Sequence, residues 1–232
     1  MSEDSVVLPK HLGFILDGNR RWARQHSIPE TDGHLAGYSA LRDVLDACFE
    51  QGIQYVSLYA FSTENWKRDK GEVSGLMRLA LAAVAKDLKN LIKQNVRVRF
   101  LGERDGLTGA VIKAIEKAED ATRGLTGPTL AVCFNYGGHQ EIASAARKCV
   151  EDGLSPEDVT ADAIEARLYS PDVPPVDMVV RTSGEHRLSN FMLWRVAYSE
   201  FLFLEKYWPD MTKADVAAII EEYGRRSRRF GG

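Results

Sequence analysis

A chain of 232 residues, 44% of them hydrophobic and 27% charged, fits one large domain with a sizeable core. A net charge of −3 excludes a surface given over to nucleic-acid binding, so any anionic ligand must be held by a local cluster of cations. Cys48, Cys133 and Cys149 lack the paired spacing of a zinc framework or disulfide scaffold. No membrane-length apolar run or basic leader occurs, so the expectation is a cytoplasmic protein.

Leu12–Leu16 is an apolar run that predicts a buried first strand, and Asp17-Gly18-Asn19-Arg20-Arg21-Trp22 follows as a polar turn or site. Apolar positions at Leu35, Tyr38, Leu41, Leu45, Cys48 and Phe49 predict an amphipathic helix from Gly33, stopped by Gly52. Tyr55–Phe61 is β-branched and aromatic enough for a second strand. A polar loop, Ser62–Gly71, leads into a long helix from Glu72 to Gln94. Between Leu79 and Ala85 that helix is apolar on every side, so it is a core helix or borders an apolar cavity; the ordinary core helix is the simpler expectation.

Val96–Leu101 alternates as a third strand, and Leu107–Thr122 reads as a helix. Thr129–Phe134 is the fourth strand, ending at Asn135-Tyr136-Gly137-Gly138, with a helix from His139 to Val150. A short helical stretch near 161–168 precedes a connector stiffened by Pro171, Pro174 and Pro175. Asp177–Val180 is the fifth strand, ending at Arg181-Thr182-Ser183-Gly184-Glu185-His186-Arg187. Tyr198–Leu204 is the sixth, with Glu200 set among aromatic residues, where a charge is costly unless paired or metal-bound. A last helix runs from Thr212 to about Arg228.

Strands alternating with helices, without hairpin signals, predict an α/β fold: a six-stranded, mostly parallel sheet covered by helices. Asp17, Ser62, Asn135 and Arg181 then share the edge formed by the strand C-termini, where such sheets gather ligands. Arg20, Arg21, Arg68, Arg181 and Arg187 fall in or beside these loops, and arginine forks suit phosphate oxygens. Asp17 and Glu200 offer hard oxygens suited to Mg²⁺ bridging phosphates. No phosphate-loop lysine, dinucleotide fingerprint, aspartate-rich motif or nucleophile elbow is present. The pattern points to a diphosphate ligand with an apolar tail.

Five stretches carry a resemblance: Asp17–Ala23, Gly33-His34, Tyr59–Trp66, Asn135–Gly138 and Arg181–Phe191. Together, in collinear order from His11 onward, they resemble the cis-prenyltransferases, above all the bacterial undecaprenyl diphosphate synthases. The resemblance implies one domain over 1–232 with a short extension at 1–10, a hydrophobic tunnel, a homodimer, and contact with a membrane surface for product release. It implies condensation of isopentenyl diphosphate with an allylic diphosphate such as farnesyl diphosphate, with Mg²⁺. By that likeness Asp17 and Asn65 are catalytic, and Asp17, His186 and Glu200 form the metal site, His186 coming from a second subunit. Gly18, Asn19, Arg20, Arg21, Trp22 and His34 surround the allylic diphosphate. Arg181, Arg187, Leu188 and Ser189 attend the isopentenyl diphosphate. Ser62, Thr63, Glu64, Trp66 and Arg68 belong to a loop around the reacting groups, and Glu72 helps close it.

Two positions depart from the family pattern. Glu30 stands where many members carry a diphosphate-binding arginine, so Glu30→Arg is expected to tighten allylic binding. Pro128 begins the fourth strand near the expected tunnel floor, which leaves product length open. Arg228-Arg229-Phe230-Gly231 resembles a tail that reaches toward a partner subunit. A non-catalytic subunit of the same fold is the rival reading. It is disfavoured because Asp17, Asn65, Arg181, Arg187 and Glu200 are all retained.

Overall fold

The computed structural model describes residues 7–226, so the tail at Arg228–Gly231 lies outside the described residues. Six strands form one sheet: β1 (His11–Ile15), β2 (Tyr55–Ser62), β3 (Arg97–Leu101), β4 (Thr129–Tyr136), β5 (Met178–Arg181) and β6 (Glu200–Phe203). Their order is β3-β4-β2-β1-β5-β6 and every pairing is parallel. The helices are α1 (Asn19–Gln25), α2 (Glu30–Glu50), α3 (Lys70–Lys93), α4 (Gly109–Thr122), α5 (Gly138–Glu151), α6 (Ala161–Glu165) and α7 (Lys213–Arg225). Among the described residues no helix is long and apolar enough to cross a membrane.

Strand β1 is buried along its whole length and lies at the centre of the sheet, between β2 and β5. Its alternation divides the core. Leu12 and Phe14 pack with Val44, Cys48, Val216 and Trp208 under α2 and α7. Ile15 packs on the opposite face with Ala131, Val179, Phe191 and Met192. The chain leaves β1 toward β2 on one side and returns to its other side as β5, so the strand order reverses there. In such sheets the crevice beyond the strand C-termini at that reversal receives ligands.

The turn expected after β1 is a helix. Gly18 caps α1 with φ +107°, and Ala23 anchors the helix in the core. Its helical residues, including Arg20, Arg21 and Ala23, have adequate to high helix propensity, and α2 presses against them through Gly33. A Cβ at Gly33 would stand 2.3 Å from the Asn19 carbonyl oxygen, so any side chain there would push the two helices apart.

Helix α3 corrects the core-helix expectation. Only Val73, Met77 and Leu88 of its 24 residues are buried. Its remaining apolar side chains border a cavity of about 170 Å³ with Leu41 and Leu45 of α2, Ile115 of α4 and Leu58, Phe100 and Val132 of the sheet. The alanine run leaves the room that this cavity occupies.

The three cysteines are buried and unpaired with one another. Burial pushes the Cys48 thiol up to about 12, so it stays a protonated, small apolar side chain. Beside β4, Glu141 and Arg195 form a buried ion pair at 2.6 Å, and Glu141 also accepts from the Tyr136 hydroxyl and the Tyr169 amide.

Candidate active site

A pocket of about 770 Å³ opens beyond the C-termini of β1, β2 and β5. Asp17 sits at its centre, two residues past the end of β1. The Thr182 hydroxyl fixes its backbone from both sides, accepting from the Asp17 amide at 3.1 Å and donating to the Asp17 carbonyl at 2.6 Å. The carboxylate accepts from Arg181 at 2.8 Å and from Arg21 at 3.3 Å. Gly18 supplies the turn that aims it: φ is +107°, and a Cβ there would meet the Tyr207 ring at 2.7 Å.

Arg181 is nearly inaccessible and joins two parts of the pocket. Besides Asp17 it donates to the Ser189 hydroxyl at 2.7 Å and to the Arg187 carbonyl. Arg187 itself is exposed and pairs with Glu185, which also meets Arg21 at 3.0 Å. Ser183, Ser189 and Asn190 all hold positive φ values between 49° and 82°, as does Asn135 at 52°. Two of these, Ser189 and Asn190, line the pocket, and backbone held in a sparsely populated region there fits a built site.

Behind Arg20, Arg24, His34 and Arg68, which line the pocket, stand two carboxylates that do not, Glu30 and Glu72. Glu30 accepts from Arg20 and Arg24, each at 2.8 Å, and these hydrogen bonds, Arg20's first, hold its carboxyl below the usual range. Glu72 pairs with Arg68 at 2.8 Å and lies 3.6 Å from both Arg20 and the His34 imidazole. Burial lowers the His34 pKa more than Glu72 raises it, which favours a neutral ring. Among the described residues five buried side-chain atoms lack a hydrogen-bond partner: Arg97 Nε at the start of β3, and Asn19 Oδ1, His34 Nε2, Arg181 Nε and Ser183 Oγ. Buried polar atoms are rarely left so, and a cluster of them in or beside one cleft fits a site built for a polar ligand.

The structure thus gathers Asp17, Gly18, Asn19, Arg20, Arg21, His34, Ser62, Glu64, Asn65, Arg68, Arg181, Arg187 and Ser189 around one pocket. Asn65 is engaged there as part of a helix cap, its Oδ1 accepting from the Ser62 amide at 3.0 Å. Other expected residues do not line it. Trp22 donates to Asp210 at 2.7 Å and stacks near His26. Trp66 donates to Asn135 at 2.7 Å and packs edge-on against Phe61, while Thr63 turns to Glu64. Leu188 packs into the core with Phe191.

Glu200 and His186 stand apart from Asp17 within the protomer. Glu200 opens β6 at the amino end of the sheet and pairs with Arg226 at 3.0 Å; His186 stacks on Phe203 with ring centroids 4.8 Å apart. Among the described residues no three His, Cys, Asp or Glu side chains converge.

Sequence reasoning missed Arg24, Tyr59, Leu76, His139 and Asn190 as pocket residues. The glycine pair after β4 carried a signal for the last two. Gly137 and Gly138 bring the start of α5 against Asn190, whose side chain accepts from the His139 amide at 2.8 Å.

Comparison with known proteins agrees with this geometry. Residues 15–231 match a family model described as "Putative undecaprenyl diphosphate synthase". An isoprenyl transferase of Agrobacterium fabrum is 46% identical over 228 residues, covering 97% of this chain and 92% of that protein. Lavandulyl diphosphate synthase from Lavandula x intermedia, solved with dimethylallyl diphosphate, superposes with a TM-score of 0.93 at 32% identity, covering 97% and 99% of the chains. A probable undecaprenyl diphosphate synthase from Campylobacter jejuni gives a TM-score of 0.82 at 32% identity and the same coverage.

Proposed function

The chain belongs to the undecaprenyl diphosphate synthase family of cis-prenyltransferases, and on that premise we propose that it condenses isopentenyl diphosphate with an allylic diphosphate, farnesyl diphosphate first, to give a Z-polyprenyl diphosphate. Undecaprenyl diphosphate, the precursor of a cell-wall lipid carrier, is the product we favour. One observation carries this reading. The cation-rich pocket around Asp17 and the apolar cavity beneath α3 share Ala60 in their walls, so an anionic head and a hydrocarbon tail are served side by side.

In this reading Gly18, Asn19, Arg20, Arg21 and His34 seat the allylic diphosphate. Arg181, Arg187 and Ser189 seat the isopentenyl diphosphate. Negative charge grows on the leaving diphosphate as its C–O bond ionises, and guanidiniums fixed beforehand stabilise that state more than the ground state. Ser62, Asn65 and Arg68 border the position where the condensed isopentenyl unit gives up a proton and so becomes the new allylic end. For Asn65 to take part, its cap to Ser62 must open, and Glu72, tied to Arg68, belongs to that movement.

The donor set suits Mg²⁺, which is held through one or two carboxylates together with substrate phosphates. Asp17, half-exposed in the pocket, is such a carboxylate. The ion supplies charge neutralisation on the diphosphate oxygens as the bond ionises. His186 and Glu200 join that site only if a second copy brings them there. The β6 edge, with half-buried Phe201 and Phe203 stacked along it, is where we place the homodimer contact. The whole chain then acts as one domain in the cytoplasm and passes its product to a membrane surface.

A second reading, a short- or medium-chain synthase, is favoured by the cavity itself. A cavity of about 150 Å³ holds a ligand the size of benzene, so 170 Å³ accommodates only a short hydrocarbon before its walls move. Labelled isopentenyl diphosphate, Mg²⁺ and geranyl or farnesyl diphosphate, followed by product sizing, decide between them. Long products support the favoured reading and products of a few units support the second. No product with any primer would overturn both.

A further inference from the structure

The cavity beneath α3 is apolar except along one seam. There Tyr38, Arg42 and Asp46 of α2 face Asp87 of α3 and Gln94 at its end. The Asp87 carboxylate accepts from the Tyr38 hydroxyl and lies 3.3 Å from the Arg42 guanidinium, while the Gln94 amide donates to Asp46 at 3.1 Å. Lys86 stands over the Tyr38 ring, 5.9 Å from its centre. A carboxylate on the wall of an apolar cavity is costly unless paired, and Asp87 is paired across the seam with both available partners on α2.

Their position along α3 gives these contacts a function. Glu72 and Leu76, in the first turns of α3, border the polar pocket or reach residues that do. Asp87 lies 15 residues beyond Glu72, about 22 Å along the helix, and Gln94 farther still. On α2 the seam starts at Tyr38, one turn past the pocket residue His34, and runs on to Asp46, so a growing tail lies beside it over a widening stretch. The cavity holds only a short hydrocarbon in its present form, so each later addition has to be met by outward movement of a wall. The sheet side of the cavity is close-packed with Leu58, Leu130 and Val132, and the α4 side with the buried Val111, Ile115 and Ala118, which leaves the α2–α3 side to yield.

We infer that the Tyr38–Asp87–Arg42 cluster, backed by Asp46 and Gln94, is a latch between α2 and α3 that limits how far the product grows. The inference rests on the chain-elongation reading above. The latch residues touch no reacting atom; they are positioning residues that set the capacity of the cavity. Loosening the latch lets α3 move outward and lengthens the product; none of the latch residues lines the polar pocket, so the first condensation keeps its diphosphate seats.

The test is product sizing at a fixed ratio of farnesyl to isopentenyl diphosphate, together with kcat and KM for a single condensation. Asp87→Ala should move the product distribution upward by at least one five-carbon unit, and Tyr38→Phe, which removes only a hydroxyl, should move it the same way by less. Single-condensation kcat and KM should stay within about twofold of the parent in both. An unchanged or shortened distribution in a folded Tyr38→Phe enzyme would overturn the latch, as would a parallel fall in the first condensation. If the parent enzyme makes no polyprenyl product, the elongation reading fails instead, and the latch with it.

Discussion

The Asp17 carboxylate and the Arg181 guanidinium meet at 2.8 Å although 164 residues separate them in the chain. The sheet makes the meeting possible, because Ile15 of β1 and Arg181 of β5 are register partners and Asp17 stands just past that rung. Arg181 is nearly buried, so Asp17 is its counter-ion as well as one of the two carboxylates, with Glu64, that line the pocket among the described residues. Asp17→Asn keeps the shape and removes the charge. We expect kcat to fall by about 10²–10³-fold, the range seen when a single charge-stabilising group is removed. Unfolding stability should fall by only about 1–3 kcal/mol, since Ser189 and the Arg187 carbonyl still hold Arg181. Steady-state kinetics beside urea unfolding check this. Retained turnover in a folded variant would remove Asp17 from the mechanism.

Glu30 gives a prediction of opposite sign. It holds Arg20 and Arg24, two pocket cations, at 2.8 Å, and Arg20 is also 3.6 Å from Glu72. A diphosphate entering the pocket competes with these carboxylates for the same guanidiniums. Glu30→Gln releases two of them, and the pairs are half-exposed, so each is worth no more than about 1 kcal/mol. The KM for the allylic substrate should fall by about two- to fivefold with kcat little changed. Glu30→Arg should lower it in the same direction. A rise in KM for either variant would show that Glu30 orients Arg20 for the ligand rather than withholding it.

The sheet was legible because each strand is a short apolar run between helices of clear 3.6 period. β1 and β5 are buried on both faces and read as continuous hydrophobic segments. The strand ends followed, and with them Asp17, Ser62 and Arg181. Helix α1 was not legible: its seven residues are mostly polar and only Ala23 is buried, so no periodicity marks it. Glu200 was read as a charge that needs a counter-charge or a metal, and the structure gives it a counter-charge. Its neighbours are aromatic, but β6 is an edge strand whose residues are only half-buried, and Arg226, a helix away in sequence, supplies the counter-charge. Trp22 and Trp66 show the limit of a motif. Each lies beside pocket residues in sequence, yet the chain turns the indole away to a carboxylate or an amide elsewhere.

His11 governs a pH response. Its Nδ1 faces the Pro174 carbonyl at 3.0 Å and therefore carries the proton, while Nε2 accepts from the Ser57 hydroxyl at 2.7 Å. Burial lowers its pKa to about 4 against 6.5 for an unhindered imidazole. The unfolded chain therefore binds this proton first as pH falls. The stabilisation is complete above about pH 6.5, declines through that value and is lost near pH 4, roughly 3 kcal/mol in all. Denaturant midpoints at pH 7 and pH 4.5 should differ more for the parent than for His11→Gln. Equal differences would mean that His11 does not carry the effect.

The last prediction concerns Ala60, the position where the polar pocket and the apolar cavity meet. It lies in β2 between Tyr59 and Phe61, at a register irregularity in the pairing with β4, so its small side chain faces open space rather than a packed neighbour. A leucine there adds a branched side chain at the passage a growing tail has to use. It costs little stability, because it displaces no core atom. The primer still seats its diphosphate, so Ala60→Leu should retain a first condensation within about tenfold of the parent, a loss near 1.4 kcal/mol. Its products should stop short of the parent's, and short intermediates should accumulate. Loosening the α2–α3 seam lengthens the product, whereas filling the entrance shortens it. A double variant of Ala60→Leu with Asp87→Ala should keep the shorter distribution, because a tail stopped at the entrance never reaches the seam. If the double variant instead makes the longer products of Asp87→Ala, the tail does not pass Ala60, and the route from pocket to cavity lies elsewhere.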